Sequence, residues 1–242
     1  PLFSYRQLVE MERLLFQSQS RAQLLTAQGI STLFNGREDL FEELPLDIDD
    51  FEPLYAQPID SPINLDGVFD DWQGSISKKV NSFGDSSNSF ELVLGERADF
   101  LYAFITIRDS SIVHRDPNYL RLDNADHLRL SFVRPDGRDG RVAIIFPRSG
   151  EIEGFEMDDQ WRYAETGAAD NRIQGSLREI LGSNLTLEFR FPLSMLGSSQ
   201  YFGISYIDVD DPITREIVNI TRTLPSSGKE NFDLVVLGTP EV

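Results

Sequence analysis

The sequence has no cysteine, two histidines and two tryptophans among its 242 residues. Without cysteine there is no disulfide framework, no thiol nucleophile and no thiolate metal site, and a chain of this length can bury a core without staples. His114 and His127 alone do not make a multi-histidine zinc centre. No uninterrupted apolar run approaches the roughly 20 residues that a transmembrane helix needs. Positive charge is scarce, with 22 Lys and Arg against 40 Asp and Glu, a formal charge of -18. A chain so acidic is repelled by a phosphate backbone, which excludes nucleic acid as a partner and disfavours anionic membrane surfaces. Cations, neutral sugars and basic protein patches remain. Also missing are a nucleophile elbow, a phosphate-cradling loop before a helix, a dinucleotide fingerprint and a paired-histidine metalloprotease motif. Pairs of carboxylates at glycosidase spacing will arise by chance among 40 acidic residues, so they assign no catalysis to this chain.

What is present is enough to fold: 40% of residues are hydrophobic and 11% aromatic. The chain divides near residue 53. In residues 4 to 34, Leu8, Met11, Leu15, Ala22, Leu25 and Leu33 recur near one face at helical spacing, which predicts a long helix of about 45 Å. Gln17 to Ser20 interrupt its apolar stripe. The stripe packs either on the rest of the chain or on a second copy, and a weak homodimer through this helix is the expectation. Arg37 to Leu44 reads as a short second helix and Pro45 to Pro53 as an acidic connector. Asp47, Asp49 and Asp50 in that connector lack the glycine and glutamate of a calcium-binding EF-hand loop. Residues 1–53 therefore form a helical segment with a linker. The chain begins at Pro1 with no basic-then-apolar leader, and reads as a piece cut or processed from a longer protein.

From Leu54 the period changes to two. Phe90 to Leu94, Leu101 to Ile107, His127 to Val133, Arg141 to Phe146, Ile152 to Met157, Ile173 to Leu177, Leu185 to Phe191, Phe202 to Val209, Glu216 to Ile220 and Phe232 to Leu237 read as strands. Turns such as Pro135-Asp136-Gly137 and Gly182-Ser183-Asn184 separate them. Both faces of the Leu101 to Ile107 strand are apolar, so it belongs in a sheet covered on both sides or in a sandwich with an aromatic outer face. Many strands without crossover helices predict a mainly β protein, an antiparallel β-sandwich over residues 54–242 preceded by the long helix.

Three constellations carry the candidate chemistry. In Ile63 to Trp72 a short apolar strand leads into Asp66-Gly67, and Trp72 is either a core plug or a ligand platform. Asp109 ends one strand while Asp123 and Asp126 precede another, which gathers three carboxylates at one rim as a calcium site, or as a network neutralised by Arg115 and Arg121. Asp208 and Asp210 alternate at the end of a third strand, where they can accept sugar hydroxyls or a cation. Trp161 with Tyr163 offers a flat face for a neutral or cationic pyranose, or else packs into the fold.

The order Ile63-x-Leu65-Asp66-Gly67, Trp72, Leu101-Tyr102 to Asp109, Asp126-x-Leu128-x-Leu130, Leu187-Glu188-Phe189-x-Phe191-Pro192-Leu193 and Phe202-Gly203-Ile204 before Asp208 resembles a family 9 carbohydrate-binding-module-like sandwich. The resemblance implies sugar binding through aromatic residues and bound calcium, with no hydrolysis by the module. It places cation-binding or structural carboxylates at Asp66, Asp109, Asp123 and Asp126, and sugar platforms at Trp161 and Trp72. The sequence departs from the family at Phe132-Val133-Arg134, where an acidic residue is common. Tyr5 to Glu12, Arg21 to Ala27 and Arg37 to Phe41 resemble the juxtamembrane helix of bacterial sensor histidine kinases of dedicated sortase systems. That resemblance implies the periplasmic, extracytoplasmic sensor region of an inner-membrane protein, anchored by flanking helices and detecting an envelope glycan or protein. The parent would be an ATP-dependent protein histidine kinase, while this fragment holds no phosphoacceptor helix and is not an enzyme. A free-standing carbohydrate-binding module and a structural or adhesion domain of the envelope are the alternatives.

Overall fold

The computed structural model describes residues 54–72, 80–85, 88–180, 184–197 and 201–223, and the backbone of 233–237. The long helix, the short helix, the connector and the homodimer contact expected of residues 1–53 lie outside the described residues. The described residues form twelve strands: β1 (Leu54–Pro58), β2 (Asn81–Gly84), β3 (Ser89–Arg97), β4 (Phe100–Arg108), β5 (His127–Val133), β6 (Asp139–Arg148), β7 (Glu151–Glu156), β8 (Gln174–Ile180), β9 (Asn184–Pro192), β10 (Tyr201–Asp208), β11 (Asn219–Arg222) and β12 (Asp233–Leu237). Among the described residues the only helical turns are 3-10 turns at Phe69–Trp72 and Leu193–Met195.

One layer runs β12-β1-β3-β4-β9-β8, with β2 on the part of β3 that β1 leaves free. The other runs β7-β6-β5-β10, with β11 and β12 sharing the far edge of β10. β12 thus hydrogen-bonds to both layers. Pairing is antiparallel wherever the sequence pattern is longest, as between Phe100↔Pro192 and Arg108↔Asn184. β1 is the exception, parallel to both β12 and β3. Its partners lie far along the chain, and an alternating pattern carries no information about strand direction. The strand expected at Ile63 does not form either, because that stretch bonds to a side chain instead of to a neighbouring strand.

Alternation assigns each strand's two faces. Leu101, Ala103, Ile105 and Ile107 of β4 enter the central core with Leu185, Leu187, Phe189 and Phe191 of β9, and meet Leu128, Leu130, Val142, Ile144 and Ile204 of the second layer. Phe191 packs edge-on to Phe132 at 5.1 Å between ring centres and at 5.6 Å from Phe202, clasping the two layers together. Each such ring contributes about 2–3 kcal/mol through burial. The opposite face of β4 carries Phe100, Tyr102 and Phe104, which Ile59, Ile63, Leu65 and Trp72 cover. Over the second layer, Leu122, Phe155 and Met157 cover Ala143 and Ile145. Both outer faces are therefore partly roofed by loops, and these roofs position the polar groups described next.

Candidate functional site

Trp72 is sealed under the first roof at 1% exposure, and its indole Nε1 donates to Glu188 Oε1 at 2.7 Å. Glu188 Oε2 accepts from the Asp66 and Gly67 N–H groups, both at 2.9 Å. Gly67 sits at φ 77°, a left-handed conformation suited to glycine, and its carbonyl accepts from Thr186 Oγ1. The assignment of Trp72 to ligand binding is thereby corrected: it is a plug, buried because its one polar atom has a partner in the sheet. Glu188 was not foreseen. Its position between Leu187 and Phe189 turns it to the face where the roof needs an acceptor.

The second constellation is rearranged. Asp109, Asp208 and Asp210 bring carboxylate oxygens within 4.8 Å of one another. Asp109 Oδ2 accepts from the Tyr206 hydroxyl at 2.5 Å and Oδ1 from the Ser111 N–H. Asn88 donates to Asp208, yet Asp208 Oδ1 is buried with no hydrogen-bond partner. Burial, with Asp109 and Asp210 alongside, pushes the Asp208 carboxyl up to about 6. Asp123 stands apart from this trio. Arg121 grips both of its oxygens at 2.9 and 2.7 Å, the arginine neutralisation that the sequence also allowed. Asp126 is wholly buried, with Oδ2 accepting from the Val113 N–H and Oδ1 from the Val209 N–H, both at 2.6 Å. It ties the loop after β4 to the end of β10. Burial pushes its carboxyl up to about 8, with Asp109 and Asp208 adding to the rise against the two backbone donors. An orphaned, buried oxygen beside two further carboxylates fits a hard cation, which takes oxygen ligands at 2.3–2.6 Å. The residues placed to hold it are Asp109, Asp208 and Asp210.

Outside the second layer lies a cleft of about 530 Å³ lined by Tyr119, Arg121, Asp123, Asn124, Arg162 and Arg215, with Ile213 to Ile217 along one wall. Trp161 stands beside it at φ 58°, an unusual conformation for a bulky residue, held by a turn in which Asp158 accepts from the Trp161 and Arg162 N–H groups. Its indole packs on the second roof and carries the Arg129 guanidinium 5.1 Å from the ring centre. Arg129 Nε in turn donates to His127 Nε2, whose Nδ1–H donates to the Ala125 carbonyl at 2.7 Å. Burial, reinforced by Arg129, lowers His127 to about 3, so it is a neutral core histidine. Tyr163 is 48% exposed at the same side. Asp208 and Asp210 do not join these aromatics: Asp208 shares the inward side of β10 with Tyr206, whereas Arg129 faces outward. Sequence reading missed Arg129, Arg162, Asn124 and Arg215, because polar side chains on loops, and one on the outward face of β5, are ordinarily solvated and carry no pattern that marks them.

No protein-family profile and no curated protein sequence matches the chain. Solved structures do. A family 9 carbohydrate-binding module from Caldicellulosiruptor kristjanssonii in complex with cellotriose is similar with a TM-score of 0.54 and 15% identity, covering 78% of this chain and 95% of that one. The module from the same organism in complex with glucose gives a TM-score of 0.52 and 15% identity, over 79% of this chain and 99% of that one. The sandwich therefore has the fold of family 9 carbohydrate-binding modules, as the ordered motifs from Ile63 to Asp208 led one to expect.

Proposed function

We propose that residues 54–242 form a non-catalytic glycan-binding module. The observation that carries this reading is a fold shared with two sugar-bound modules over nearly their whole length, joined to a cleft lined by aromatic and hydrogen-bonding side chains. Affinity is weak, because a shallow site buries little area and displaces well-solvated groups. A glycan array followed by calorimetry on the 242-residue chain tests the reading, and silence across neutral and acidic glycans alike defeats it. The finer proposal, an extracytoplasmic sensor region of a membrane histidine kinase in the periplasm, rests on the motifs in residues 5–41. A free-standing module would share the sandwich and differ in what flanks it. Sequencing the gene on both sides for hydrophobic helices and a cytoplasmic kinase separates the two.

Calcium belongs to the same proposal, at Asp109, Asp208 and Asp210. Bound there, the ion supplies positive charge that holds the ends of β4 and β10 together; it has no part in chemistry. In metal-free protein, millimolar calcium is expected to raise the melting temperature by several degrees, more at pH 8 than at pH 5, since protons on Asp208 compete with the ion. Asp208→Asn should remove this gain. A melting temperature indifferent to calcium in the parent protein at pH 8 rules the ion out.

A further inference from the structure

The chain is strongly acidic, yet its cleft is not. Arg121, Arg162 and Arg215 line it against Asp123 and Glu216, and Asp123 is already gripped by Arg121. On the outward face of the second layer, Arg129 and Arg222 each lie opposite Ser205 on a neighbouring strand. They repel one another, and Arg129 is largely buried. Arg215 is committed through Nη1 to the carbonyls of His114 and Asn124, with its guanidinium over Tyr119. Arg162 is exposed, and no acidic side chain pairs with it among the described residues. The cleft therefore carries excess positive charge in fork-shaped groups that match carboxylates.

A second observation narrows the ligand. Asn124 lines the cleft at 7% exposure, and its Oδ1 has no hydrogen-bond partner. A buried acceptor without a donor is costly, and a bare carboxylate or phosphate cannot satisfy it. A hydroxyl can. Around the opening, Leu120 and Ile213 stand 85% and 86% exposed, an apolar rim for the C–H faces of a ring.

We propose that this cleft binds an acidic sugar, a uronic-acid residue whose carboxylate meets the arginines while a ring hydroxyl donates to Asn124. The inference rests on the glycan-binding reading and specifies its substrate class. It reverses the preference for neutral or cationic sugars drawn from Asp208 and Asp210, because those carboxylates lie with Asp109 instead of beside Trp161. The chain's overall charge does not forbid such a ligand, since exposed charges beyond about 10 Å are largely screened at physiological salt.

Calorimetry of the full 242-residue chain with galacturonate, mannuronate and glucuronate trisaccharides tests this, with cellotriose and sodium acetate as controls. At least one uronate should bind about tenfold more tightly than cellotriose, and Arg162→Ala should weaken it about tenfold while leaving the melting temperature unchanged. If cellotriose binds as well as every uronate, the charge assignment fails and the glycan reading survives. Uronate binding untouched by Arg162→Ala removes the cleft. Acetate binding as tightly as the trisaccharides reduces the site to a simple anion trap and overturns the proposal. If no uronate binds, the inference falls, while the glycan array decides the wider reading.

Discussion

Replacing Glu188 by leucine is expected to destabilise the sandwich by about 4 kcal/mol, one of the largest single-residue effects in the domain. Leucine fills the space but leaves the Asp66 N–H, the Gly67 N–H and the Trp72 indole N–H without the acceptors they now share. Each unpaired buried donor costs about 1–3 kcal/mol. Loss of these bonds frees the loop that covers Tyr102 and Phe104, so apolar area on β4 returns to water as well. Glu188→Gln keeps one carbonyl acceptor and should lose about half as much. Urea unfolding followed by tryptophan fluorescence, in a Trp161→Phe background so that Trp72 alone reports, measures both. A Glu188→Leu protein within about 1 kcal/mol of its parent would show that the carboxylate is incidental to the roof.

Stability should fall as pH rises from about 4 to about 8 in protein stripped of divalent ions. The folded-state carboxyls of Asp208 and Asp126 sit at about 6 and about 8, above the ordinary 3.8 that the unfolded chain adopts. Between those limits the native state holds protons that the unfolded state has released. Raising pH therefore favours unfolding. The stabilisation is fully present below about 3.8, declines as Asp208 titrates, and is spent once Asp126 has ionised. Over this window the loss should amount to several kcal/mol, a fall of about 10 °C or more in melting temperature. Asp126→Asn should be less stable than the parent at pH 5, because its amide can accept from only one of Val113 and Val209, but should show a flatter pH profile. A parent melting temperature that stays level or climbs between pH 5 and pH 8 in chelator contradicts the assignment.

Glu188, Asp126 and Asp208, the residues behind these expectations, show what a sequence displays and what it conceals. The alternation in Leu101 to Ile107 and Leu185 to Phe191 made the layers legible, because a strand's two-residue period reports directly which side chains share a face. The same alternation placed Glu188 outward, where charge ordinarily means solvent; only the roof, built 121 residues earlier at Gly67, makes the position buried. Asp109, Asp126 and Asp208 were recognisable as strand-end carboxylates. Which of them meet depends on the register of β5 against β10, a contact between distant segments that local pattern does not encode. Trp161 was visible as a scarce residue, yet its role in holding Arg129 follows from a backbone angle that no spacing announces. β1 was concealed for a similar reason, being five residues long with both partners remote.

The parallel pairing of β1 with β12 has a mechanical meaning. Leu54 lies opposite Val235 and Ala56 opposite Leu237, so the chain enters the pair at one end and leaves it at the other. Tension drawn through the two outer ends of these strands acts along them, in shear, and stretches their hydrogen bonds together instead of unzipping them one at a time. The second edge of β1 is held by β3 and one end of β12 by β10. A pull transmitted through the polypeptide thus meets the fold along its stiffest direction, and the domain can pass force in line while its outer faces keep their shape.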